Sequence, residues 1–251
     1  MKPPLVIANW KMHGTRAEAE NLARRIHNGM KDLRHVEVAI APPFTALATV
    51  ADVLRGGEIQ LVAQNVHWEE EGAFTGEISP KMLRETGCTF VLIGHSERRH
   101  LFDENDQMVS KKMSALLRAD LLPILCVGET LRERKKGMTR NVISRQLRAA
   151  LKGVSKNAIE KITVAYEPVW AIGTGLTATP DETSHAHRWI RKVMTRLFGS
   201  TKAMRCRILY GGSVRPENAA ELARASEVNG LLVGGASLKA GDFLRIVSQF
   251  V

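Results

Sequence analysis

Eight short apolar runs, each separated from the next by a longer stretch, limit this chain to very few folds. The runs are Leu5-Ala8, Val36-Ala41, Ile59-Gln64, Phe90-Ile93, Pro123-Val127, Ile162-Tyr166, Cys206-Tyr210 and Gly230-Val233. They are almost continuously hydrophobic, as parallel strands buried on both faces are, and do not alternate. Amphipathic segments lie between them, among them Ala17 to Lys31, Asp106 to Ala119 and Asn141 to Lys152. Thr15 stands three residues before Glu18, the spacing of a capping box, and so starts the first helix. Pro180 followed by Asp181-Glu182 opens another, running to about Leu197. No linker, repeat or shift in composition divides the chain. Eight β–α units in 251 residues therefore predict an α/β fold, a closed (β/α)8 barrel filling 1–251 as a single domain. A doubly wound sheet uses fewer strands.

Composition removes other classes. One residue in four is charged and 44% are hydrophobic, which is not the balance of a disordered chain. Cys88, Cys126 and Cys206 are 38 and 80 positions apart (126 − 88 and 206 − 126), neither a disulfide framework nor a zinc ligand set. Leu5-Ala8 is too short for a signal-peptide core, and Leu121 to Val127, with Pro123 inside it, cannot span a bilayer. A reduced, cytoplasmic protein with no membrane partner is the expectation. The net charge of +10 is consistent with steering an anionic metabolite. Its basic pairs, Arg24-Arg25, Arg98-Arg99, Lys111-Lys112 and the run Arg132 to Lys136, are scattered along the sequence, so no nucleic-acid partner is expected.

A barrel of this kind carries its chemistry just past the strands. Strand 1 is followed by Asn9-Trp10-Lys11-Met12, strand 4 by Gly94-His95-Ser96-Glu97-Arg98, and strand 6 by Glu167-Pro168-Val169-Trp170. Taken singly, each has an ordinary account: a snorkelling lysine, a satisfied histidine, a carboxylate that caps a helix. Glu167 is nonetheless well suited as a general base, with Pro168 stiffening the chain and Trp170 supplying apolar surface that would raise its pKa. Strands 7 and 8 run into Gly211-Gly212-Ser213 and Gly234-Gly235-Ala236-Ser237. Paired glycines before a helix let backbone N–H groups approach an anion. Lysine, histidine, glutamate and two glycine turns on one rim compose an acid–base site for a phosphorylated substrate.

The pattern Gly173-x-Gly175-x-x-Ala178 formally matches a dinucleotide fingerprint. It lacks the strand directly before its first glycine and the acid about 20 residues later that such a site requires, so no nicotinamide cofactor is expected. A lid with an apolar tip accounts for it better. No Gly-x-Ser-x-Gly elbow accompanies Ser96, Cys126 is expected to be a packed core thiol, and His185 and His187 do not share a helix face. No metal is implied.

These segments together resemble one family, the triosephosphate isomerases. The resemblance is carried by Asn9-Trp10-Lys11-Met12, Ala63-Gln64-Asn65-Val66, Gly72-Ala73-Phe74-Thr75-Gly76-Glu77-Ile78-Ser79 and Gly94-His95-Ser96-Glu97-Arg98-Arg99. It continues through Cys126-Val127-Gly128-Glu129, Ala165 to Gly175, Tyr210-Gly211-Gly212-Ser213-Val214 and Val233-Gly234-Gly235-Ala236-Ser237-Leu238, in the family's order. It implies a TIM barrel that interconverts dihydroxyacetone phosphate and D-glyceraldehyde 3-phosphate through an enediolate, in glycolysis and gluconeogenesis. By the same resemblance Glu167 is the base, neutral His95 polarises the substrate oxygens, Lys11 and Asn9 meet the negative charge, and Glu97 holds Lys11. Backbone groups of Gly173, Ser213, Gly234 and Gly235 would hold the phosphate.

The lid would be Pro168-Val169-Trp170-Ala171-Ile172-Gly173-Thr174-Gly175-Leu176-Thr177-Ala178, of the water-excluding kind for which this family is known. The long loop from Asn65 to Ser79, with Trp68, Phe74 and Glu69 to Glu71, has the character of an interface. The resemblance implies a homodimer in which Thr75 lies near the partner's Asn9 and the partner's Lys11. It calls for no cofactor and no metal. His13 and Leu176 depart from the residues frequent in the family, Asn and Lys respectively. Two other classes compete. A Schiff-base aldolase would need a lysine in the barrel mouth, for which Lys11 is the only candidate; a basic binding protein would use the net charge alone.

Overall fold

The computed structural model describes residues 2–30, 33, 35–173 and 175–250. Eight strands, β1 (Leu5–Asn9), β2 (Glu37–Ala41), β3 (Gln60–Ala63), β4 (Phe90–Ile93), β5 (Leu122–Val127), β6 (Thr163–Tyr166), β7 (Arg207–Tyr210) and β8 (Gly230–Val233), pair in chain order. All pairings are parallel, and β8 returns to β1 with Leu5 opposite Gly230, which closes the barrel. β4 and β8 have the bounds expected from the sequence; the others differ by one residue at one or both ends. The first helix is Arg16–Gly29 where Ala17 to Lys31 was expected; Lys31 lies outside the described residues. Its capping box is complete, with Thr15 Oγ1 accepting from the Glu18 N–H and Glu18 accepting from the Thr15 N–H. The helix from Pro180 runs to Phe198 and opens on a second such box, Thr179 with Glu182.

Every strand is buried, and the reason is visible in how its residues divide. Leu5, Ile7, Ala39, Ala41, Val62, Phe90, Leu92, Ile124, Cys126, Ala165, Leu209 and Leu232 form one cluster, drawn from all eight strands and from nothing else. These fill the barrel. The residues between them, such as Val6, Ala8, Leu125, Val127, Ile208 and Tyr210, join the cluster that includes the helices. Successive side chains of a strand point to opposite faces, so a two-sided core demands apolar residues at both parities. The same alternation positions the site: counting inward residues Leu5 and Ile7 onward gives Asn9, and Ala165 onward gives Glu167.

All three cysteines are free and buried. Burial pushes Cys88 up to about 12 and Cys206 up to about 11, so neither is a thiolate near neutrality. No helix among the described residues is long and apolar enough to cross a membrane.

His187, on the helix Pro180–Phe198, is fully buried, donates from Nδ1 to the Glu227 carbonyl at 3.1 Å, and meets Tyr166 edge-on. Burial, aided by Arg191 and opposed by that carbonyl, lowers its pKa to about 4. The unfolded chain takes up a proton near pH 6.5 that the folded one refuses, so the stabilisation is complete above that pH and is lost as pH falls towards 4. The loss expected at pH 5 is roughly 2 kcal/mol. Urea unfolding at pH 7 and pH 5 checks it: in His187→Leu the gap between the two pH values should shrink by that amount, and an unchanged gap would overturn the assignment.

Candidate active site

Asn9, Lys11, His95, Glu167, Gly173, Ser213, Gly234 and Gly235 all line one cleft of about 430 Å³ at the C-terminal ends of the strands. Lys11 stands just past β1 with φ 53°, a left-handed backbone that a lysine adopts at a cost of roughly 1–2 kcal/mol. Three hydrogen bonds hold it there. Asn9 Oδ1 accepts the Lys11 N–H at 3.1 Å, and the Gln64 side-chain amide donates to the carbonyls of Lys11 and Ala41 at 2.8 and 2.9 Å. The consequence is that Nζ turns to Glu97, 2.5 Å away.

His95 precedes the helix Ser96–Leu101 and accepts the Glu97 N–H on Nδ1 at 3.3 Å. A nitrogen that accepts carries no proton, so the proton of the neutral ring is on Nε2. That atom faces Asn9 Nδ2 at 3.4 Å and Glu167 Oε1 at 3.1 Å. Glu167 is 2% exposed. Its Oε2 accepts the Ser96 N–H at 2.8 Å, whereas Oε1 lies 3.1 Å from His95 Nε2 and has no hydrogen bond of its own among the described residues.

The opposite wall is nearly bare backbone. A Cβ on Gly212 would come within 2.2 Å of the Tyr210 hydroxyl, and one on Gly128 within 1.7 Å of the Glu167 carbonyl. Only glycine fits either place, the first keeping the turn after β7 open to the cleft and the second letting the turn after β5 press against Glu167. Arg215 and Lys239, which the sequence did not single out, line the same cleft together with the carboxylates Glu217 and Asp242.

The Trp170 indole is anchored by a carboxylate other than Glu167. Its indole N–H is donated to Glu129 at 2.9 Å, beside the Tyr166 hydroxyl at 3.1 Å from the same carboxylate. Burial raises the pKa of Glu129, against those two donors. Burial first, and then the adjacent Glu167, pushes the Cys126 thiol well up, as suits a packed core group. Of Pro168 to Gly173 and Gly175 to Ala178, Ile172 and Gly173 line the cleft, and Gly173, Gly175, Leu176 and Thr177 are exposed; Thr174 lies outside the described residues. Thr75 is exposed on the loop after β3 and lines no part of the cleft.

A second, buried set supports the first. Glu104 accepts the Gly94 N–H at 2.8 Å, Arg98 Nε at 2.7 Å and Lys112 Nζ at 2.6 Å, and Lys112 also reaches Asn65 Oδ1 at 2.7 Å. Burial alone would push Glu104 up; Lys112 and Arg98 outweigh it and hold the carboxyl below its ordinary value. Sequence reasoning missed this pair, but a signal was present. Lys112 interrupts the apolar stripe Val109, Met113, Leu116 on the helix Asp106–Arg118, and a lysine on a core-facing stripe must have a partner.

Fold and site together define a (β/α)8-barrel enzyme that works with acid–base groups at the mouth of the barrel. The family model for triosephosphate isomerase matches residues 4–250. The chain is 51% identical over 248 residues to the triosephosphate isomerase of Caldanaerobacter subterraneus subsp. tengcongensis, covering 99% of this chain and all of that one. It is 49% identical over 247 residues to that of Carboxydothermus hydrogenoformans, covering 98% of each. The Roseiflexus sp. (strain RS-1) enzyme is 51% identical over 247 residues, 98% of this chain and 97% of its own. The chain belongs to the triosephosphate isomerase family.

Proposed function

We propose that this chain interconverts dihydroxyacetone phosphate and D-glyceraldehyde 3-phosphate, with Glu167 as the base. The observation that carries the assignment of roles is the meeting of Glu167 Oε1, His95 Nε2 and Asn9 in one cleft whose far wall is glycine backbone. Glu167 takes a proton from the carbon next to the carbonyl and returns it to the former carbonyl carbon. The electron pair left behind moves onto the carbonyl oxygen, where the His95 Nε2–H stabilises the enediolate, and the proton of the neighbouring hydroxyl passes to that oxygen as the hydroxyl becomes the new carbonyl. Lys11, tied to Glu97, offsets the charge of enediolate and phosphate. Gly173, Ser213, Gly234 and Gly235 bind the phosphate, and the arm from Pro168 to Ala178 closes over it to exclude water before the intermediate can expel phosphate. No oxidant or cofactor enters this balance. A coupled assay with glyceraldehyde 3-phosphate tests it: rapid formation of dihydroxyacetone phosphate is expected, and a folded protein that converts none would sink the proposal. Borohydride in the presence of substrate should trap no adduct, in contrast to a Schiff-base aldolase.

The working form is a homodimer. In support, Met12, Phe44, Phe74, Leu101 and Phe102 are exposed apolar residues, and a cleft of about 420 Å³ lined by Lys11, Met12, Phe44, Asn65, His95 and Phe102 adjoins the active site. The loop beyond β3 is rigid enough to enter such a cleft. His67 is stacked between Trp68 and Phe74, both at 4.3 Å, and its N–H closes the loop onto the Ile78 carbonyl. Thr75, at the tip, would then meet the partner's Lys11. Sedimentation should give a dimer for the native chain and a monomer with much reduced turnover for Thr75→Arg, which sets like charges together. A native monomer with full activity would refute this.

A further inference from the structure

Arg134 touches both ends of the arm proposed to close over the cleft. Its guanidinium lies over the Trp170 ring, 4.0 Å from the centroid, and pairs with Glu182. Trp170 belongs to the short turn Val169–Ala171 that begins the arm, and Glu182 to the first turn of the helix Pro180–Phe198 that follows it. The indole is fixed at its edge by Glu129 and covered on its face by Arg134. Glu182 divides its carboxylate: Oε2 accepts the Thr179 N–H at 2.9 Å, closing the capping box, and Oε1 takes Arg134. A chain of contacts, Trp170 to Arg134 to Glu182 to Thr179, therefore joins the two hinges through a helix that is not part of the arm. That helix, Leu131–Lys135, has a capping box of its own, Thr130 with Glu133, so Arg134 is presented from a fixed base. Arg134 does not line the active cleft.

We propose that Arg134 is a positioning residue for the isomerase reaction, tying the two hinges into one unit and favouring the arrangement in which the tip stands exposed. The proposal rests on the function proposed above. When the arm descends, its ends must move against fixed neighbours, and at least one contact of Arg134 has to stretch. Bridged in this way the hinges yield together, which suits a lid with two discrete positions. A cation held over an indole face at a partly exposed site shifts such an equilibrium by about two- to fivefold.

The test uses 2-phosphoglycolate, whose planar carboxylate stands in for the enediolate. In Arg134→Ala the arm should come down more readily, so the analogue binds about fivefold tighter; KM falls, and kcat falls with it because product leaves more slowly. Arg134→Lys keeps a charge for Glu182 but has no plane to stack, and should lie between the two. A purely structural role would lower the unfolding temperature and leave the analogue's Kd, KM and kcat each untouched. That result would overturn the proposal. Fluorine NMR of the protein labelled with 5-fluorotryptophan, with the Trp170 resonance assigned by Trp170→Phe, reads the hinge without any turnover. A Trp170 resonance that shifts towards its analogue-bound position in Arg134→Ala is expected. An identical resonance in both proteins would refute the clamp even if the native chain isomerised nothing, so the two failures stay apart.

Discussion

Glu167→Gln is expected to lower kcat by about 10³- to 10⁴-fold while leaving phosphate-analogue affinity within a few fold. The amide has the shape of the carboxylate, and its oxygen can still accept the Ser96 N–H that Glu167 Oε2 accepts at 2.8 Å. What disappears is the group at Oε1, the buried oxygen left without a hydrogen bond 3.1 Å from His95 Nε2. An amide there cannot hold a proton between two carbons. The end of the cleft proposed to hold the phosphate, from Ser213 to Gly235, is untouched. Glu167→Asp should fall between the two, because withdrawing the carboxylate by about 1 Å costs on the order of 10²-fold in a reaction that depends on position. The measurements are kcat in the coupled assay and exchange of substrate hydrogen with deuterated solvent. A Gln variant that turns over normally but binds the analogue poorly would reverse the assignment, making Glu167 a binding group and leaving the base to be found elsewhere.

Much of this arrangement was legible before any coordinates, and its limits are physical. The strands could be read because burial on both faces leaves no polar alternation: Phe90–Ile93 and Gly230–Val233 contain nothing that a solvated strand would need. The rim residues Lys11, His95 and Glu167 could be read because a charged or titratable side chain directly after such a run stands out. Long-range pairing could not. Nothing local to Glu104 or Lys112 says that they meet, since the seven residues between them supply no pairing motif; only the misplaced charge on an apolar stripe hints at it. Trp170 has a hydrogen-bond partner that stayed hidden for a related reason. It is three residues from Glu167 in sequence, but the turn Val169–Ala171 carries its indole towards Glu129, 41 positions away. Periodicity reports which face a side chain occupies, not which partner waits there.

Lys112→Met is expected to cost about 3–5 kcal/mol, because it removes one member of a buried ion pair and leaves the other. Lys112 is 2% exposed and Glu104 equally so. With the ammonium gone, Glu104 keeps Arg98 and the Gly94 N–H, too few donors for a carboxylate that burial already disfavours. It should then hold its proton to a higher pH, and the Gly94 N–H should bind it less strongly. Gly94 is the residue between β4 and His95, so loosening it disturbs the imidazole as well as the fold. Asn65, released from Lys112 at the same time, begins the loop proposed to enter the partner. Two readouts follow: the urea midpoint falls sharply at pH 7, and dimer dissociation rises beyond what the loss of monomer stability explains. Replacing both members, as in Lys112→Met with Glu104→Gln, should recover part of the stability, since no buried carboxylate remains to be charged and Arg98, which loses its partner, is partly exposed to water. If the single and double variants unfold alike, the cost lies in packing around Lys112 and not in the orphaned carboxylate.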